Sequence, residues 1–496
     1  MASERRPTRG ATRAIIDIGS NTVRLVIYGG PVRAPDVLHN EKVTARLGKS
    51  VAETGLLGQR ASATALAALA RYRTLLSLNG IERVDVVATA AVRDAANGRA
   101  FLDKVAAMGF APRLLSGRQE AETSAHGVLG AFPSACGIVG DLGGGSLELV
   151  DVDGDTCRHG VSMPLGTLRL AGLRAKGDRA FTQTVGRALE RAEWAAEPGV
   201  TLYLVGGSLR AFARAEMQRM NWSIDDPHGF SLEATDALRA AQALAKRKGD
   251  TLPPLPGVSS GRLAGLPDTA ALLGVLIERL QPARLVFSAW GLREGVLCED
   301  MAPIVRAQDP LVAGISSFAQ AMGVAAHSAV MVAGWTVAAK HAPEDIPVES
   351  AGRERLRLAA TMLCLAAATV EPNLRADVAR AWSLRKRWIG AGTTERVILC
   401  VAMLAHIGQL IVPEPLTRLV PPGALREAQA WGLATRLCRR FSIGAPQGLT
   451  DSRLIVEDGR LVLTVADALR PLVNEGVERD LKALAQHLGL KAETCQ

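Results

Sequence analysis

The sequence predicts an α/β protein in which one β-hairpin-led domain occurs twice, followed by a mostly helical region. Three observations predict it. Strand-like and helix-like runs alternate over about the first three hundred residues, the pattern of α/β folds. Ile16-Asp17-Ile18-Gly19-Ser20-Asn21-Thr22 returns as Gly140-Asp141-Leu142-Gly143-Gly144-Gly145-Ser146 at a constant spacing of 124 residues (Asp17 to Asp141), the mark of an internal duplication. Beyond Met301 strand-like runs nearly vanish and Ala-rich segments take over.

Taken in order, Ala14–Ile18 and Val23–Tyr28 are apolar runs joined by the turn signature Gly19-Ser20-Asn21, which makes them a hairpin. Gln59–Leu78 is an alaninic helix closed by Asn79-Gly80. Val84–Thr89 is a strand, Gly98–Met108 a helix ended by Gly109, and Ala111–Leu115 a strand. After the Ser116-Gly117 turn, Arg118–Leu129 reads as a helix. Gly137–Leu142 and Leu147–Val152 repeat the opening hairpin around Gly143-Gly144-Gly145-Ser146. Strands at Leu202–Val205 and Arg284–Phe287 follow, then a helix holding Gly291–Leu297. The later helices are placed at Leu311–His341, Arg353–Thr369, Asn373–Trp388, Thr394–Leu410 and Gly423–Phe441. A short hairpin turns at Asp458-Gly459 within Arg453–Val465, and a helix over Val477–Leu488 closes the chain. The implied domains are 12–135, 136–304, a helical domain over 305–420 and a small α+β element over 421–496.

The 496 residues exceed one ordinary core, which fits several domains. Hydrophobic residues at 48% and charged residues at 22% exclude a largely disordered chain, and 4% aromatics predicts aliphatic cores. The formal charge of +9 favours an anionic partner. Seven scattered cysteines without a Cys-x-x-Cys pair suggest neither a disulfide framework nor a zinc site. Met1–Arg13 carries four arginines but lacks the apolar run of a secretory signal. Leu311–Ala339 has no formal charge, yet Ser316, Ser317, Gln320, His327 and Ser328 interrupt it, so a buried helical hairpin is expected rather than a membrane span. A cytoplasmic protein without membrane attachment is the expectation.

Chemistry concentrates in the glycine turns. Consecutive backbone N–H groups in such turns make a nest for phosphate oxygens, and Ser20, Asn21, Thr22 and Ser146 add side-chain donors. Gly206-Gly207-Ser208, after its strand, offers a third such turn. Asp17 and Asp141 end buried strands, where carboxylates suit a hard cation such as Mg²⁺. Seven residues past each Asp the copies differ in sign, Arg24 against Glu148. A guanidinium on one wall and acids on the other suit phosphoryl transfer.

Six motifs fall in one order: Asp17-Ile18-Gly19-Ser20-Asn21-Thr22-x-Arg24, Ala88-Thr89-Ala90-Ala91-Val92-Arg93-Asp94-Ala95, Leu115-Ser116-Gly117-Arg118-Gln119-Glu120-Ala121, Asp141-Leu142-Gly143-Gly144-Gly145-Ser146-x-Glu148, Val205-Gly206-Gly207-Ser208 and Gly291-Leu292-Arg293-Glu294-Gly295. Together they resemble the exopolyphosphatase/guanosine pentaphosphate phosphohydrolase (Ppx/GppA) family, from about residue 12 to 300. The resemblance implies two actin-like (RNase H-like) domains, as in sugar kinases and heat-shock chaperone ATPases, and a degenerate HD-like helical region. It implies Glu120 as the general base that activates water, with Asp141 and Glu148 as Mg²⁺-associated acids and Asp17 beside them. Arg93, Asn21 and Arg24 match the family's phosphate-contacting set, and the glycines Gly143, Gly144, Gly145, Gly206 and Gly207 complete the cradle with Ser20, Thr22, Ser146 and Ser208. Glu120 stands in the first turn of its helix, where the dipole keeps its pKa low unless burial opposes it. Glu122 is a weaker competitor on another face.

The implied reaction is in-line attack of water on the terminal phosphoryl group of inorganic polyphosphate. Guanosine pentaphosphate is the alternative substrate in the same cleft. The cofactor is Mg²⁺, and a monovalent cation such as K⁺ is admitted beside it. No nucleic acid partner is expected, and a homodimer is the family-level expectation. A phosphotransferase is less favoured, because of the Ser-Gly-x-x-Glu-Ala motif and the lack of an obvious sugar-recognition insertion, and a non-catalytic polyphosphate-binding regulator is less favoured because Glu120, Asp141 and Glu148 are intact. Arg385, Lys386, Arg387, Arg439 and Arg440 are candidate contacts for a long polyanion. The HD-type metal pair is missing: Leu363-Cys364-Leu365-Ala366-Ala367-Ala368 stands where it would align, and His327 and His406 are isolated.

Overall fold

The duplicated pattern folds as two sheets of like order. In the computed structural model, which describes residues 12–154, 156–194, 197–339 and 350–495, β1 (Arg13–Ile18), β2 (Val23–Gly29) and β3 (Asp36–Val43) form an antiparallel meander. β4 (Val84–Ala88) and β5 (Pro112–Leu114) add in parallel, giving the order β3-β2-β1-β4-β5. The second sheet comprises β6 (Cys136–Leu142), β7 (Leu147–Asp153), β8 (Thr156–Met163), β9 (Thr201–Val205), β10 (Ser231–Glu233) and β11 (Arg284–Phe287), in the order β10-β11-β9-β6-β7-β8. In each sheet the hairpin's first strand is central and pairs in parallel with the strand that follows the hairpin's helices. Consecutive Ile15 and Ile16 of β1 are both fully buried, so this strand is covered on both faces and reads as an unbroken apolar run.

The two lobes exchange helices. Ala121, Ala125 and Val128, on the helix Gly117–Ala131, pack against Val139 and Val150 of the second sheet. Val296 and Leu297, on the helix Leu292–Glu299, pack against Ile15, Val26 and Val87 of the first. Glycines let the helices cross at backbone contact: a Cβ at Gly295 would lie 1.7 Å from the Thr123 carbonyl, and one at Gly127 would lie 2.1 Å from that of Gly291. Tyr28 donates to Glu294 at 2.7 Å in the same buried layer.

The chain divides into two compact units, Met1–Asn221 with Pro227–Gln308, and Trp222–Asp226 with Asp309–Gln496. The second unit is helical around Leu363, Leu399, Val401 and Trp431. Its helix Pro422–Ser442 also serves the neighbouring core, in which Leu437 and Phe441 pack against a three-stranded sheet. That sheet holds β12 (Ser452–Glu457), β13 (Arg460–Val465) and β14 (Lys491–Cys495), in sequence order. The expected hairpin is β12 and β13, and β14 joins in parallel.

The uncharged stretch forms two helices, Pro310–Ala321 and Ala326–Trp335 with a 3₁₀ turn to Ala339, that meet at a 113° bend. Among the described residues no single helix is long and apolar enough to cross a membrane. Lys340 and His341 at its expected end, like the arginine-bearing start up to residue 11, lie outside the described residues. Leu363, Cys364, Ala366 and Ala367 are buried packing groups. His406 is buried too, and burial with Arg439, Arg436 and Arg375 nearby drives its pKa down to about 3, so it stays neutral. Arg387 grips Asp226 through two 2.7 Å hydrogen bonds, and Arg440 pairs with Asp480 at 2.5 Å. These two cations thus serve the unit's own packing.

Candidate active site

Each hairpin turn is closed by the same hydrogen bond. The Gly19 N–H donates to the Thr22 carbonyl at 3.0 Å, and the Gly143 N–H to the Ser146 carbonyl at 3.0 Å, two and five residues past the respective Asp. The shared turn fixes a shared register: Asp17 lies opposite Arg24 across β1 and β2, and Asp141 lies opposite Glu148 across β6 and β7. The next strand extends both rows. Arg24 faces Lys42 on β3, and Glu148 faces Ser162 on β8. Residues opposite each other in a sheet project to the same side. One lobe therefore presents the row Asp17–Arg24–Lys42 and the other Asp141–Glu148–Ser162.

The two turns meet. A Cβ on Gly145 would fall 2.7 Å from Ser20 Oγ, and one on Gly144 would fall 3.3 Å from the Asn21 nitrogen. Only glycine lets the backbones approach so closely. The third turn arrives with Gly206 at φ +117°, where a Cβ would strike the Leu142 carbonyl at 2.5 Å. Between these turns lies a cleft of about 570 Å³. Asp17, Ser20, Asn21, Thr22, Arg24, Glu120, Asp141, Gly143, Gly144, Gly145, Ser146, Glu148, Gly206, Gly207 and Ser208 all line it.

Arg93 is placed otherwise. Its guanidinium donates to Glu120 Oε2 at 2.8 Å and to the Leu115 carbonyl at 3.2 Å, and it is absent from the cleft lining. Glu120 follows a capping box, in which Gln119 N–H donates to Ser116 Oγ and Ser116 N–H to Gln119 Oε1. This starts the helix Gly117–Ala131 and aims its first turn into the cleft. Burial prevails over the hydrogen bond and charge of Arg93, and with the charges of Asp141 and Asp17 nearby it lifts the Glu120 carboxyl to about 7.

The other acids are strained in the same direction. Burial raises Asp17, against Arg293 and Arg24, which favour its charge. It raises Asp141, against the Ser124 hydrogen bond and Arg210. Burial and then Glu120 and Asp141 push Glu148 well above the usual carboxylate range. Such a set fits a bound cation, which would offset charge that the protein leaves in place. It is not a closed cage. Among the described residues no three His, Cys, Asp or Glu side chains gather closely enough to hold a metal alone. Mg²⁺ is commonly held by one or two carboxylates with water and phosphate, and this donor set matches that mode.

Cations outside the expected set also line the cleft: Lys42, Arg46, Lys49, Arg210, Arg262 and Arg293. Arg293 lies 3.9 Å from Asp17. The Nε atoms of Arg24 and Arg293 are buried without a partner among the described residues. Burial, with Arg293 and Arg262 adding repulsion, lowers Arg24 to about 10. Arg293 carried a signal in the Gly291–Gly295 motif. The others stand in no quoted motif, so only their placement reveals them.

The Ppx/GppA phosphatase family profile matches residues 26–303, more than half of the chain. Exopolyphosphatase 2 of Mycobacterium tuberculosis is 33% identical over 199 residues, 38% of this chain and 62% of that protein, so the match spans less than two thirds of the relative. Exopolyphosphatase 1 of Mycobacterium bovis is 25% identical over 299 residues, 57% of this chain and 86% of its own. The solved structure of the Aquifex aeolicus Ppx/GppA family member is similar at 25% identity and a TM-score of 0.51, covering 59% of this chain and 99% of that one. An exopolyphosphatase structure from Cytophaga hutchinsonii, 23% identical, shares the fold at a TM-score of 0.52 over 58% of this chain and 96% of its own. With the profile, the duplicated hairpins and the two-lobed sheet order in agreement, the chain belongs to the Ppx/GppA phosphatase family.

Proposed function

We propose that the chain is an exopolyphosphatase, releasing orthophosphate from the ends of inorganic polyphosphate. The observation that carries this reading is the position of Glu120. It is a buried carboxyl with a pKa of about 7, held by Arg93 and lining the cleft of about 570 Å³ between two Asp-led turns. A group with that pKa is half-ionised near neutrality and can accept a proton from attacking water. The names of the curated relatives support polyphosphate as the substrate class.

Backbone N–H groups of the Gly143–Ser146 and Gly19–Thr22 turns orient the terminal phosphoryl oxygens, and Arg24 draws the next phosphate to the opposite wall. Glu120 takes the proton from water as the oxygen attacks phosphorus in line with the departing phosphate chain. Arg93 fixes the carboxylate's rotamer. Asp141 and Glu148, with Asp17 alongside, would hold Mg²⁺, which when bound screens charge on the transferring oxygens.

The test is phosphate release from chains of defined length with and without Mg²⁺, beside guanosine pentaphosphate. The expected result is Mg²⁺-dependent release favouring polyphosphate. Overwhelming preference for the nucleotide would reject the substrate, and no release from either would reject the activity. Glu120→Gln should lower turnover about 100-fold or more while polyphosphate still binds.

A further inference from the structure

Asp141, next to last in β6, is held by a residue no motif singled out. Ser124 Oγ donates to Asp141 Oδ2. Ser124 is 1% exposed and sits four residues after Glu120, on the same face of the helix Gly117–Ala131. Behind that bond the site is closed by backbone: a Cβ on Gly291 would lie 3.2 Å from Ser124 Oγ and 3.6 Å from Asp141 Oδ2. One carboxylate oxygen is thus turned inward and committed, while Asp141 itself lines the cleft. The second acid of the row is held alike, by Ser162 Oγ on Glu148 Oε1 at 2.8 Å. The equivalent acid of the other lobe, Asp17, has a guanidinium near it instead, Arg293 at 3.9 Å.

Resting on the reading that Asp141 serves a cation, we infer that Ser124 is a positioning residue, turning Asp141 so that a single oxygen faces the cleft as a one-point cation ligand. A neutral hydroxyl orients the carboxylate without cancelling its charge, as an ion pair would. The helix that carries the candidate base also sets the acid, so the two are aligned by one rigid element. Ser124 touches no substrate in this account. Partners of this kind typically change metal affinity 10- to 100-fold when removed.

The experiment is Mn²⁺ binding to the full chain, followed by electron paramagnetic resonance and repeated with Mg²⁺ by calorimetry, on wild type, Ser124→Ala and Ser124→Thr. Ser124→Ala should weaken the dissociation constant about 10-fold or more at an unchanged melting temperature. Ser124→Thr, which keeps the hydroxyl, should stay near wild type. With polyphosphate, Ser124→Ala should lower kcat at saturating substrate while KM holds. Equal binding by wild type and Ser124→Ala would overturn the positioning role and leave the proposed reaction standing. A wild type that binds neither ion would overturn the cation reading, and this inference with it. Should Ser124→Ala fail to fold, Ser124→Cys keeps the volume with a weaker donor. Wild-type affinity in that variant would equally overturn the assignment.

Discussion

The two lobes build the same turn from the same register and put opposite charge on it. In the first, Asp17, Arg24 and Lys42 stand side by side across three strands. In the second, Asp141, Glu148 and Ser162 occupy the corresponding places. The backbone is reused because it supplies inward N–H groups whatever the row carries. The proposed function accounts for the divergence of the rows: a transferring phosphoryl group calls for unlike walls, one that draws anions and one that holds a cation and a proton acceptor. Electrostatics follows this division. Burial lowers Arg24 to about 10 and raises Glu148, so on each wall it works against the charged form, a cost that a ligand of opposite charge would relieve.

The comparison is broken most severely by making the walls alike. Glu148→Arg puts a guanidinium where the first lobe already has one, and phosphate release should fall about 1,000-fold, the upper range for losing a preorganised electrostatic group. Stopped-flow phosphate detection would read it. Arg24→Gln removes the cation proposed to draw the departing chain and leaves the acids. KM for polyphosphate should rise about 10-fold with a smaller change in kcat, as expected for a lost charge-assisted contact. Equal effects of both changes on kcat would mean the walls do not divide the work.

Arg93 sharpens the division on the acidic side. Its guanidinium favours the charged form of Glu120, so Arg93→Ala should move the ionisation on the acid limb upward from about 7, at reduced rate. A limb that stays or moves down would contradict the pairing. The smallest effect concerns the contact between turns. Gly145→Ala places a Cβ 2.7 Å from Ser20 Oγ and 3.0 Å from Ala90 Cβ, and should cost about 1–3 kcal/mol in urea unfolding.

Much of this was legible in the chain because the hairpins announce themselves by an apolar run, a glycine turn and a repeat at fixed spacing. β3 and β8 were not legible. β3, Asp36–Val43, is exposed along most of its length, so no apolar periodicity marks it, and β8 carries Arg158 and His159 among its exposed positions. They are strands because the hairpin beside them offers unpaired edges. Yet they deliver Lys42 and Ser162, the outer members of both rows. The helix exchange between lobes was hidden for a similar reason, since Gly127 and Gly295 matter only once the helices cross. The pKa of Glu120 reflects a contest between burial and Arg93 that spacing could not decide. Arg93 was placed on phosphate by resemblance, and its hydrogen bond to Glu120 was a contact that no spacing marked.

The central claim is that two converging turns place one ionisable carboxylate beside a phosphate nest. Its most direct test is the rate of phosphate release from defined-length polyphosphate in Mg²⁺ between pH 5 and 9, for wild type beside Glu120→Gln. The account predicts a wild-type rate that is lost as pH falls through an ionisation near 7, because the base must be unprotonated, and a low profile lacking that limb in the variant. A variant that keeps the wild-type rate, or the same limb, would contradict it.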